Sequence, residues 1–184
     1  TVIATTSTQQ DGTYVLDALR PGAYRVRIAL PQDALFALGA PLDLAGADAQ
    51  EGQTEEYVLA MGQQRTLETL PAVKAGTVTG RAWADADADG WMDAEEAALT
   101  GTHVELLDAQ GDVISAMDVG EDGAYAFGLL REGTYAVRFT LPEGELFADR
   151  VEGDRVSCVT PVEGGIAVTE PFFLPMGEQR TLHV

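Results

Sequence analysis

The segment Asp85-Ala86-Asp87-Ala88-Asp89-Gly90-Trp91-Met92-Asp93-Ala94-Glu95-Glu96 places acids at positions 1, 3, 5, 9 and 12 of a twelve-residue loop, with glycine at position 6. Such spacing suits a hard divalent cation, because alternate side chains of a tight turn converge on one point. Calcium takes about six to eight oxygens at about 2.3 to 2.6 Å. In this reading Asp85, Asp87 and Asp89 supply carboxylates, Gly90 permits the bend and Trp91 contributes its backbone carbonyl. Asp93 binds directly or through water, and Glu96 closes the site with both oxygens. Magnesium fits less well, since an all-protein cage with a bidentate glutamate suits the larger, more tolerant ion. Zinc would want His or Cys ligands, and the loop has neither. Without metal the carboxylates crowd one another, so binding is expected to order the segment. An acidic surface turn that merely resembles the loop is the plainer alternative.

Other reactive groups are sparse. His103 and His183 lie far apart in the chain, Cys158 has no neighbouring histidine motif, and no glycine-rich phosphate loop occurs. The expectation is therefore a protein that is not an enzyme. A single cysteine forms no intrachain disulfide, and Cys158 is read as a small buried apolar side chain. Two further acidic groups, Asp118, Glu121 and Asp122, and Asp149, Glu152 and Asp154, have unspecific spacing and read as exposed loop charge or as secondary ion sites. With 30 acidic against 11 basic residues and a formal charge of -19, the chain repels nucleic acid and anionic membrane surfaces. No apolar run reaches the roughly 20 residues needed to span a bilayer, and Thr1-Val2-Ile3-Ala4 is not a signal peptide.

The elements that must hold the loop are strands. Thr77 to Trp83, leading into Asp85, alternates as a strand where a sensor EF-hand needs a helix, so the metal is expected to staple a loop and not to drive a helix-opening switch. Tyr24, Val26, Ile28 and Leu30 alternate with Arg25, Arg27 and Ala29; Tyr135, Val137, Phe139 and Leu141 alternate with Ala136, Arg138 and Thr140. Each pattern reads as a half-buried strand. Val104 and Leu106 start another, and Tyr125 and Phe127 a fourth, with glycine and proline punctuation at the short spacing of an antiparallel sandwich. Only Asp93 to Leu99 has room for one helical turn.

The chain also repeats itself. Asp11-Gly12-Thr13-Tyr14 returns as Asp122-Gly123-Ala124-Tyr125, and Gly22-Ala23-Tyr24-Arg25-Val26-Arg27 as Gly133-Thr134-Tyr135-Ala136-Val137-Arg138. Leu35-Phe36-Ala37 returns as Leu146-Phe147-Ala148, and after a small slip Met61-Gly62-Gln63-Gln64-Arg65-Thr66-Leu67 returns as Met176-Gly177-Glu178-Gln179-Arg180-Thr181-Leu182. Residues 75–111 have no counterpart. The reading is an all-β protein of tandem antiparallel sandwich modules with an incomplete first module. Residues 1–73 form the later part of one repeat and 74–184 a complete one carrying the 85–96 loop, with the boundary near Pro71.

Val78 and Trp83 leading into Asp85, Asp87, Asp89, Gly90, Asp93 and Glu96, then Leu99-Thr100-Gly101-Thr102-His103-Val104-Glu105-Leu106, Asp122 to Phe127 and Gly133 to Val137, resemble the calcium-binding B-type repeats of serine-aspartate-repeat adhesins, the SdrD B-like family. These are relatives of the collagen-adhesin B-type (Cna B-like) sandwich. The resemblance implies a Greek-key β-sandwich of transthyretin (prealbumin) topology and bound calcium. It further implies a secreted or cell-surface location, extracellular in either case, and a structural stalk or spacer role beside neighbouring repeats of the same protein. The family's loop often carries Asn where this chain has Asp. Some relatives close a Lys-to-Asn or Lys-to-Asp isopeptide bond. Here asparagine is absent, the closing stretch from Glu170 to Val184 has no aspartate, and Lys74, the sole lysine, has no evident partner. The rival function is an adhesin module binding a host protein or glycan, with Trp91 as a sugar-stacking candidate. An incomplete first module would expose unpaired strand edges, which an upstream fragment or swapped strands would cover.

Overall fold

A computed structural model of the chain describes residues 1–40, 42–44, 50–67, 69–87, 95–147, 159–161 and 164–183. The strands are β1 (Gly22–Tyr24), β2 (Arg27–Ala29), β3 (Ala34–Phe36), β4 (Asp43–Leu44), β5 (Glu51–Gln53), β6 (Tyr57–Leu59), β7 (Ala72–Lys74) and β8 (Gly76–Arg81). They continue with β9 (His103–Leu107), β10 (Val113–Asp118), β11 (Ala124–Leu130), β12 (Gly133–Thr140), β13 (Val159–Pro161), β14 (Ile166–Thr169), β15 (Phe172–Leu174) and β16 (Gln179–His183). No helix occurs among the described residues. The single helical turn expected from Asp93 to Leu99 is not formed in its described part, because Ala98 instead bridges antiparallel to Trp83.

From β8 onward the chain is a β-sandwich. One sheet runs β10-β9-β12-β14-β13, with β15 pairing the start of β12, and the other runs β11-β8-β16. The alternation read in the sequence sets the inner faces. Val104, Leu106, Val137, Phe139 and Ala167 come from the first sheet and Val78, Tyr125, Phe127 and Leu182 from the second, all buried in one cluster. The Tyr125 and Phe139 rings meet nearly edge-on across the interior, with centroids 5.5 Å apart, the geometry that ring quadrupoles favour. The Tyr125 hydroxyl donates to the Leu182 carbonyl at 3.0 Å, which satisfies a buried polar atom. Gly80 makes room for this arrangement: a Cβ there would lie 1.7 Å from the Leu182 carbonyl oxygen and 2.3 Å from the Tyr125 hydroxyl. One pairing departs from the antiparallel expectation, since β16 runs parallel to β8, Gln179 beside Thr77 through His183 beside Arg81.

The repeat is structural as well as sequential. β1 pairs β6 and β2 pairs β5, as the two ends of β12 pair β15 and β14. In both copies a threonine hydroxyl accepts a backbone N–H, Val26 to Thr54 and Val137 to Thr169, each at 3.0 Å. In both, a tyrosine hydroxyl donates to the carbonyl of an arginine four residues back, Tyr24 to Arg20 and Tyr135 to Arg131. Among the described residues, even the two non-glycine residues with positive φ correspond, Ala18 at 54° and Leu129 at 57°. Residues 2–7 and 13–19, the counterparts of β10 and β11, form no strand and leave Val2, Ile3 and Val15 exposed. In the second copy β10 and β11 are held by β9 and β8, for which residues 1–21 contain no equivalent.

Candidate metal centre

The acidic loop leaves the sandwich at the end of β8 and is closed by a short antiparallel stem. Ala84 N–H donates to the Ala97 carbonyl at 2.9 Å and Leu99 N–H to the Ala82 carbonyl at 3.0 Å, flanking the Trp83–Ala98 bridge. The stem is tied to the core at both ends. Ala82 is fully buried and donates its N–H to the Gly123 carbonyl at 2.9 Å, and Leu99 packs against the core cluster. Gly123 has φ of 76°, and a Cβ on it would come within 2.3 Å of the Ala82 carbonyl oxygen; only glycine lets the 120–124 turn approach the stem this closely. Behind the stem, the buried Thr102 hydroxyl donates to the Leu99 carbonyl at 3.0 Å.

This stem brings residues from opposite ends of the loop together. Carboxylate oxygens of Asp85, Asp87 and Glu96 all lie within 4.8 Å of one another, Asp87 exposed and the other two half-buried. One Glu96 oxygen, Oε1, accepts the Ala86 N–H at 2.9 Å, which aims the carboxylate back across the loop mouth. Three carboxylates converging from both ends of a loop form a hard-oxygen donor set suited to calcium. The other three sequence-derived ligands, Asp89, Trp91 and Asp93, lie outside the described residues. Among the described residues no other trio of acids, cysteines or histidines converges in this way; Asp118, Glu121 and Asp122 do not. Instead Asp122 caps its own turn by accepting the Ala124 N–H at 3.1 Å, while Asp118 contacts His103 Nδ1 at 2.7 Å across the β9–β10 pair. Asp149, Glu152, Asp154 and Cys158 lie outside the described residues.

His103 sits in β9 of one sheet and His183 in β16 of the other. Sequence reasoning missed the contribution of Gly123 to the stem. Its recurrence in the Asp-Gly-x-Tyr motif was the available signal.

The sequence model of the SdrD B-like domain matches residues 76–181. The chain belongs to the SdrD B-like domain family. The match covers the sandwich and the whole acidic loop; the family is that of a repeat domain, not of an enzyme. Among curated relatives, the chain is 28% identical over 146 residues to serine-aspartate repeat-containing protein F of Staphylococcus epidermidis, which aligns 75% of this chain with 8% of that protein. It is 29% identical over 150 residues to serine-aspartate repeat-containing protein D of Staphylococcus aureus, covering 78% of this chain and 11% of the relative. The SdrD B-like chain thus spans about a tenth of the length of these proteins. Solved structures similar to it include the Bacillus anthracis TIE protein, with TM-score 0.41, 18% identity and coverage of 96% of this chain and 27% of that one. Another is GBS52, the minor pilin of Streptococcus agalactiae, with TM-score 0.36, 11% identity and coverage of 74% and 63%.

Proposed function

We propose that this SdrD B-like segment is a non-catalytic spacer of a secreted or cell-surface bacterial adhesin, stiffened by calcium bound in the 85–96 loop. The observation that carries the reading is the convergence of Asp85, Asp87 and Glu96 within 4.8 Å at the mouth of a loop whose stem is bonded to the sandwich. Asp89, Asp93 and the Trp91 carbonyl would complete the ion's shell. Bound calcium would neutralise the clustered charge and lock the loop onto the end of β8, so that ordering the loop and binding the ion are one event. Family membership supports the repeat role, and the serine-aspartate repeat proteins to which the chain is similar support the extracellular setting.

Calorimetric titration of calcium into the metal-stripped protein tests this, with thermal unfolding followed in parallel. Saturable binding and a raised melting temperature are expected, both lost in Asp85→Ala and Glu96→Ala. Absence of binding in the unaltered chain would refute the calcium reading while leaving the fold untouched.

A further inference from the structure

The two copies of the Leu-Phe-Ala motif have different fates. In the first copy β3 (Ala34–Phe36) pairs antiparallel with β7 (Ala72–Lys74), Leu35 opposite Val73. The pairing is extended by Ala75 N–H donating to the Asp33 carbonyl at 2.7 Å and Ala37 N–H to the Pro71 carbonyl at 2.9 Å. Leu35 and Phe36 are 0% exposed. β7 is the stretch that leads directly into β8, so an inner strand of the first repeat and the lead-in to the second share this sheet. The joint is pinned a second time, because Arg131 Nη2, in the turn between β11 and β12, donates to the Phe36 carbonyl at 3.0 Å.

In the second copy the same chain turn is formed, but no strand among the described residues pairs with it. Glu145 N–H donates to the Pro142 carbonyl at 3.2 Å, as Ala34 N–H does to Pro31 at 3.1 Å. Residues 145–147 nevertheless form no strand, and Leu146 is 86% exposed while Phe147 packs against the core. A backbone edge carrying a bare leucine is a template for strand addition. The repeat register says what sequence would fill it. Leu67 corresponds to Leu182, so a further repeat continuing from Val184 would begin with the counterpart of Leu70-Pro71-Ala72-Val73-Lys74.

We propose that Glu145–Phe147 is a docking strand for the lead-in segment of a following copy of this module, joined in line through the same antiparallel pairing that β3 makes with β7. The proposal deepens the spacer reading by naming the joint that sets the angle between modules. Three contacts of the first joint recur by correspondence: the strand pair, burial of the leucine, and a bond from the next module's Arg131 counterpart to the Phe147 carbonyl.

The test compares the 184-residue chain with one in which residues 70–184 are repeated after Val184. Hydrogen exchange at the Leu146 amide, the counterpart of the amide that Leu35 turns toward β7, should slow at least tenfold in the extended chain, approaching that of Leu35. Leu146→Asp should abolish the gain, whereas Leu35→Asp should leave it intact. Unchanged exchange at Leu146 on extension would overturn the proposal. So would protection already present in the 184-residue chain and growing with its concentration, which would make the occupant a second, separate molecule. Calcium titration of the same two chains reports on the metal site independently, so failure of the joint and failure of the spacer reading are distinguishable.

Discussion

Replacing Asp87 with Asn should change stability in opposite directions with and without calcium. Oxygens of Asp85, Asp87 and Glu96 lie within 4.8 Å of one another. At that distance two unit charges repel by about 0.9 kcal/mol in a water-like dielectric, and by more where solvent is excluded. Asp87 takes part in two such pairs. Its repulsion with Asp85 partly survives in the unfolded chain, where the two are near neighbours in sequence; its repulsion with Glu96 is created by closing the loop. Asp87→Asn should therefore stabilise the metal-free protein by about 1 to 1.5 kcal/mol at low ionic strength. At about 0.15 M salt, where the Debye length is about 8 Å, the gain should fall to roughly half. With calcium at a thousandfold excess over its dissociation constant, binding adds about 4 kcal/mol; losing one charged ligand and a hundredfold in affinity removes about 2.7 kcal/mol of that. The assay is thermal unfolding in chelator at two salt concentrations and in excess calcium, where about 1 kcal/mol corresponds to roughly 4 °C. If Asp87→Asn is neutral or destabilising in chelator at low salt, or fails to reverse sign with calcium, the reasoning from clustered charge is wrong.

Two further substitutions probe the sandwich that carries the site. Thr169→Val keeps the side-chain shape but removes the acceptor for the Val137 N–H, leaving a buried donor unpaired; a loss of about 1 to 3 kcal/mol is expected, read by urea denaturation. Glu105 accepts from Arg138 Nε between β9 and β12, and this hydrogen bond holds its carboxyl below the ordinary carboxylate range. A carboxyl lowered by folding contributes stability above its unfolded value and loses it as pH falls through the folded value. Glu105→Gln should therefore cost about 1 kcal/mol at pH 7, screening included, and the difference from the unaltered protein should begin to shrink as pH falls below about 4 and disappear only once pH is below the lowered folded value.

Much of this protein is legible from local pattern. Period-two alternation from Tyr135 to Leu141 determines which side chains of β12 face the interior, because successive residues of a strand point to opposite faces whatever their partner. The acids of the 85–96 loop are recognisable for a similar reason: ligand spacing in a tight turn is set by neighbouring backbone. The repeat, with its slip before Met61 and Met176, shows in the residues alone, and the correspondence extends to positive φ at Ala18 and Leu129.

What the pattern leaves open is which strand lies beside which, since alternation chooses a face and not a neighbour. The parallel pairing of β16 with β8 and the closeness of Gly80 to Leu182 and Tyr125 come from closing two sheets over one core. The sharing of β7 with β3 comes from a backbone edge finding a partner across a repeat boundary. Likewise the spacing of Asp85, Asp87 and Glu96 identifies candidates for one ion, whereas their approach to within 4.8 Å depends on the Trp83–Ala98 stem and on Gly123 beneath it. By itself the sequence determined the strand faces and the spacing of the candidate donors, both consequences of near neighbours, and the repeat, which shows in the residues alone. Only the tertiary structure decided the strand partners, the shape of the joint and the convergence of the carboxylates, because each depends on residues distant in the chain meeting in one packed interior.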